Sequence, residues 1–196
     1  MNFNEYRPLA LRTAKRGVTL RDDFEHAALG FSTESGEANT VIKRVVIYNK
    51  PLTEDMRLHA LEELADTGWY VPLAMLAHHI DELDPVPAEE LMEVFTPVSN
   101  DLKQCGLFLA ALCGAIAMAA TIPDEDYGTR SHRDEIRGVL TAIVFVLDHM
   151  ATLLDSSGDE MRANNIAKLR LRFPDAYSDA AAEARADKGG LDATQS

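Results

Sequence analysis

Two acidic tetrapeptides, Glu34-Ser-Gly-Glu37 and Glu63-Leu-Ala-Asp66, hold the residues best suited to chemistry in this chain. Each lies in a stretch that reads as helix, and a three-residue separation places both acids of a pair on one helical face. If the two helices pack antiparallel, four carboxylates converge. Like charges at that density take up protons or recruit a cation. Hard oxygen donors in that number suit Mg²⁺ or Mn²⁺, so the pattern points to metal-assisted chemistry on a phosphorylated substrate.

The elements that must position these acids follow from apolar spacing. Phe24, Ala28, Phe31, Ala38, Val41, Ile42 and Val45 recur at helical intervals, predicting a helix that starts at residue 19 or 21 and runs to 46. Thr53 is the expected N-cap of a second helix over 54–83, with Leu58, Leu61, Leu64 and Ala65 inward and Pro72 as a kink or local irregularity. The Asp84-Pro-Val-Pro87 stop precedes a short helix over 88–95, then long helices over 100–120 and 132–154 and a final one over 159–172. Strand signals are nearly absent, so the expected fold is an all-α bundle. The domain is expected to span residues 1–185, with 96–155 as an inserted helical pair and a disordered polar tail over 186–196.

Composition narrows the function classes. Hydrophobic content of 46% and charged content of 26% are ordinary for a soluble domain. A formal net charge of −13 argues against a nucleic-acid polymer as partner, although bound metal still permits nucleotides. Cys105 and Cys113 sit in an apolar run and read as small hydrophobes of a reducing cytoplasm, and the polar opening residues do not read as a signal peptide. The uncharged stretch from Gly106 to Ile122 approaches spanning length, but it lacks an aromatic belt and reads as half of a buried hairpin rather than a membrane insertion.

Three blocks carry a family resemblance: His26-Ala-Ala-Leu-Gly-Phe-Ser-Thr-Glu34-Ser-Gly-Glu37 with Lys43-Arg44 and Asn49-Lys50-Pro-Leu; Glu62-Glu63-Leu-Ala-Asp66-Thr-Gly-Trp69-Tyr70; and Asn164-Asn165-Ile-Ala-Lys168-Leu-Arg-Leu-Arg172-Phe-Pro174-Asp-Ala-Tyr177, followed by Arg185 and Asp187. Together they resemble MazG-type nucleoside triphosphate pyrophosphohydrolases, of the all-α superfamily that includes the dimeric dUTPases. The resemblance implies hydrolysis of a (deoxy)nucleoside triphosphate to monophosphate and pyrophosphate, with Mg²⁺ (or Mn²⁺) on Glu34, Glu37, Glu63 and Asp66. It also implies a homo-oligomer, most simply a dimer. Phosphate-holding candidates are Lys43, Arg44, Lys50, Lys168 and Arg172. Asn165, with Asn164 competing, is the candidate for sugar or base. Trp69 and Tyr70 either border a base pocket or belong to the core, and His26 either approaches substrate or caps a helix.

The chain departs from the family pattern in two respects. Thr33 stands where many members carry an extra Glu, leaving Glu62 or a metal ligand as the base. The inserted pair is the other; laid on the acidic helices it reads as a degenerate copy, with Ala117, Ala120, Gly138 and Thr141 opposite the four acids. The neighbouring His78 and His79, with Asp81 and Glu82, read as surface because adjacent helical residues diverge by about 100°. His132 and His149 have no partner at any defensible spacing. Rival readings are a dUTP-restricted enzyme and a non-enzymatic helical interaction protein.

Overall fold

The computed structural model describes residues 1–83 and 101–184, and within them every regular element is a helix. The short helix expected over 88–95, Arg185, Asp187 and the tail lie outside the described residues. Two long helices, α2 (Leu20–Val46) and α3 (Glu54–Ala77), carry the acidic pairs; α4 (Leu102–Ala119) and α5 (Arg130–Leu153) form the inserted pair. Helix α1 (Phe3–Leu11) precedes them, and α6 (Gly158–Arg172) and the short α7 (Asp179–Ala184) follow.

Capping residues explain most helix starts. Thr19 accepts from the backbone of Asp22 while the Asp22 carboxylate accepts from Thr19, and the hydroxyls of Thr53, Thr129 and Ser157 accept from Met56, His132 and Glu160. Helix α1 was not expected from the sequence. Pro8 lies inside it, but an Asn2–Glu5 capping box starts it, and Tyr6 and Ala10 bury against Ile166, Leu169 and Phe173 of the C-terminal region. Tertiary burial outweighs the proline. Helix α3 runs unbroken through Pro72 and then stops at Ala77, short of the expected residue 83. The cause is a Schellman-type end: His79 adopts φ 52°, the Ile80 amide returns to the Met75 carbonyl at 2.9 Å, and Ile80 is buried.

Contacts between residues of opposing sequence trend show the packing directions. Asn39 donates to the Gly106 carbonyl (3.0 Å), whereas Arg21 reaches the Ala120 and Ile122 carbonyls, so α2 and α4 are antiparallel. Arg57 reaches the Leu154 carbonyl (2.9 Å) while His78 meets His132, so α3 and α5 are antiparallel too. Helices α2 and α3 pack on each other, as do α4 and α5. Each helix of one pair thus packs on one helix of the other. The inserted pair is less buried than expected. Helices α4 and α5 are long and apolar enough to cross a membrane, but α4 faces α2 with Cys105, Leu109, Cys113 and Ile116 and leaves Leu107 and Met118 exposed. Burial pushes both cysteine thiols up to about 11.

The surface reading of His78 is corrected by the structure. Its imidazole is only 2% exposed, edge-on to Phe24 at 4.2 Å and 4.9 Å from the ring of His132, which thereby gains the partner the sequence did not reveal. His79 is exposed, because its left-handed backbone (φ 52°) turns the chain out of the helical path. His78 Nδ1 faces the Ala74 carbonyl, an acceptor only, so that nitrogen carries the hydrogen and Nε2 is bare. Burial, with His132, Arg133 and His79 nearby, pushes His78 down to about 4. The unfolded chain protonates this residue near the usual His value of about 6.5. As pH falls from there toward 4, the unfolded state gains a proton that the folded state refuses, and stability is lost. The expected loss is on the order of 2–3 kcal/mol. Urea unfolding of the parent and His78→Leu between pH 7 and 4.5 tests this: the parent curve should fall more steeply, and parallel curves would contradict it.

Candidate metal centre and its cavity

Antiparallel packing of α2 on α3 brings the two acidic faces together. Carboxylate oxygens of Glu34, Glu37 and Glu63 lie within 4.8 Å of one another. Glu63 is the most enclosed, 5% exposed, whereas Glu34 is half-buried and Glu37 open to solvent. Burial, then the charges of Asp66, Glu37 and Glu34, push Glu63 up to about 8. Glu34 is raised as well, by burial first and then by Asp66 and Glu37. The pair therefore holds a proton at neutral pH unless a cation takes its place. A donor set of carboxylate oxygens alone fits a hard divalent cation.

Asp66 belongs to the same acidic group but is engaged differently. Its Oδ1 accepts from Asn165 Nδ2 (2.7 Å), and its Oδ2 is ion-paired with Lys168, whose Nζ also contacts Glu62 Oε1 at 3.2 Å. Burial disfavours the Lys168 charge, yet Asp66 and Glu62 outweigh it and hold the lysine protonated. Helix α6 thus delivers one cation to the edge of a cluster rich in anions. His59, one turn before Glu63, places Nδ1 3.3 Å from its carboxylate; the four-residue spacing was readable in the sequence but not singled out.

A cavity of about 290 Å³ opens beside this cluster. Glu34, Asp66 and Lys168 line its polar end, with Arg172 beside them; Trp69, Tyr70, Phe173 and Tyr177 supply aromatic walls. Trp69 and Tyr70 meet edge-on at 4.7 Å, and Trp69 Nε1 donates to Thr13 Oγ1. Gly30 permits this wall: a β-carbon there would lie 2.0 Å from Tyr70 Cζ, so only glycine lets the ring lie against α2. The outer wall depends on Arg12. Its guanidinium donates to the carbonyls of Phe173, Pro174 and Asp175, and the Tyr177 amide donates back to the Arg12 carbonyl.

Of the residues singled out from sequence, Trp69, Tyr70, Lys168, Arg172 and His26 line this cavity. Lys43, Arg44 and Lys50 are exposed around the end of α2 and do not line this cavity. Asn165 is 3% exposed, and its amide bonds Asp66 and the Tyr6 hydroxyl. Asn164 and Asn165 both border a separate cavity of about 280 Å³ across Lys168, alongside Glu62 and Ser156. Tyr6, Thr13 and Lys15 were missed. They come from a segment whose relation to the acids depends on contacts far apart in the chain.

No protein-family model, curated protein or solved structure matches this chain.

Proposed function

We propose that the protein is a divalent-metal-dependent nucleoside triphosphate pyrophosphohydrolase of the MazG type. One observation carries the reading: three glutamates converge, and one of them, Glu34, lines a cavity together with Asp66, Lys168, Arg172 and the rings of Trp69 and Tyr70. Glu34, Glu37 and Glu63, with Asp66 alongside, would hold Mg²⁺ or Mn²⁺. When bound, the metal supplies charge neutralisation for the phosphates and acidifies a water. Lys168 and Arg172, which line the cavity, would hold outer phosphate oxygens, and Trp69 and Tyr70 would border the base. Water adds to the α-phosphorus, its proton passes to a carboxylate of the cluster, and the bond from the α-phosphorus to the bridging oxygen breaks, releasing pyrophosphate. Glu62 is engaged by Lys168. That favours a carboxylate of the Glu34–Glu63 pair as the proton acceptor in place of the absent residue at Thr33.

The narrower dUTP-only reading is favoured by the α4–α5 pair completing a four-helix core within one chain. A panel of nucleoside triphosphates with Mg²⁺, assayed for pyrophosphate, tests both. Release from several nucleotides supports the broad enzyme, and release from dUTP alone supports the narrow one. Release from none by metal-loaded protein overturns both and leaves a helical interaction protein.

A further inference from the structure

We propose that Tyr6, on the N-terminal helix, is a positioning residue for the metal centre, acting on Asp66 through the side-chain amide of Asn165. The inference rests on reading the acidic cluster as a divalent-cation site. The Tyr6 hydroxyl donates to Asn165 Oδ1 at 2.8 Å, and Asn165 Nδ2 donates to Asp66 Oδ1 at 2.7 Å. These contacts join residues 159 and 99 positions apart, from α1 to α6 to α3. Tyr6 is 1% exposed and is itself a member of neither the acidic cluster nor the cavity lining.

The chemistry of the amide gives the arrangement a direction. A primary amide has an accepting end and a donating end, and only the donating end stabilises a carboxylate. A phenol hydroxyl that donates to the oxygen selects the orientation in which nitrogen faces Asp66. Without the hydroxyl, the amide can turn and present oxygen to an anion, which repels it. Asp66 Oδ1 would then lose its fixed donor, leaving Lys168 as its partner and the carboxylate free to rotate toward it. Burial, reinforced by Asp66, raises the Tyr6 phenol well above its ordinary value, so it remains a neutral donor across the working pH range.

The anchoring of α1 supports a positioning role. Arg162 on α6 donates to the Met1 carbonyl (3.2 Å) and pairs with Asp148 of α5 (2.6 Å), tying the start of α1 to the helix that carries Asn165. Tyr6 also packs with Ile166, the next residue after Asn165, in a small apolar cluster separate from the main core.

Mn²⁺ titration of the full-length protein by calorimetry, beside nucleotide hydrolysis, tests the proposal. Tyr6→Phe keeps the ring and removes only the hydroxyl; its Mn²⁺ Kd should rise about tenfold, the lower end for lost outer-shell support. Asn165→Ala should weaken Mn²⁺ at least as much, and adding Tyr6→Phe to it should cost nothing further. Ile166→Val, which trims the same cluster without touching the relay, should bind as the parent does. A Tyr6→Phe Kd within twofold of the parent, additive losses in the double variant, or loss of helical circular dichroism in Tyr6→Phe overturns it. If the parent binds Mn²⁺ but hydrolyses no nucleotide, the proposed activity fails while the Kd values still judge the relay. A parent that binds no Mn²⁺ overturns both.

Discussion

Glu63→Gln should melt higher than the parent in metal-free buffer at pH 8.5 and yet release almost no pyrophosphate. The stability gain follows from what the parent must enclose. Above pH 8 the Glu63 carboxylate is ionised while buried beside Glu34, Glu37 and Asp66. An amide of the same shape removes that charge and can donate to Glu34, as the protonated acid does. The gain should be on the order of 2 kcal/mol, or about 4–8 °C for a chain of this size. The functional loss follows from the same change, because a neutral amide is a poor partner for a hard cation. Deleting one such charge-stabilising group should cost about a thousandfold in turnover. Glu37→Gln provides the contrast. Its carboxylate is exposed, so stability should move little while turnover falls comparably. A destabilised Glu63→Gln, or one that keeps a tenth of the parent's turnover, would remove the basis of the proposed centre.

Mg²⁺ or Mn²⁺ should raise the melting temperature of the parent, and the increase should grow between pH 6 and 8.5. Glu63 has a folded-state value of about 8 against an ordinary 4.5, so its contribution to stability is complete below 4.5 and lost as pH rises through 8. Metal and proton compete for the same oxygens. At pH 7 binding should release about one proton, readable as a dependence of calorimetric heat on buffer ionisation enthalpy. With free metal at a hundred times Kd, linkage adds about 2.7 kcal/mol to stability. His78 acts in the opposite sense at the acid end, where stability is regained as pH rises from 4 toward 6.5. The two groups oppose each other where their windows overlap, about pH 4.5–6.5, which places the metal-free optimum there. A melting temperature that metal does not move, or a Mn²⁺ Kd flat from pH 6 to 8.5, would count against a proton-competed site.

Much of the helical framework was legible because its rules act within a few residues. Thr19 and Thr53 announce helix starts, and the apolar spacing of 24–45 marks a buried stripe. Three-residue spacing put Glu34 with Glu37 and Glu63 with Asp66 on shared faces before any packing was known. The short-range code failed where a distant contact overrode it. Helix α1 holds despite Pro8 because Tyr6 and Ala10 are covered by α6, and His78 is buried because α5 brings His132 and a loop brings Tyr127 against it.

By itself, then, the sequence determined an all-α chain with two acidic helix faces, since helical period, capping and side-chain charge are local properties. Only the tertiary structure decided how those faces are used. It placed the three glutamates within one ion's reach, assigned Lys168 and Asn165 to Asp66, left Lys43 and Lys50 outside the cavity and enlisted Tyr6. Those outcomes depend on which helix faces meet, and that is settled by burying apolar surface from segments distant in the chain.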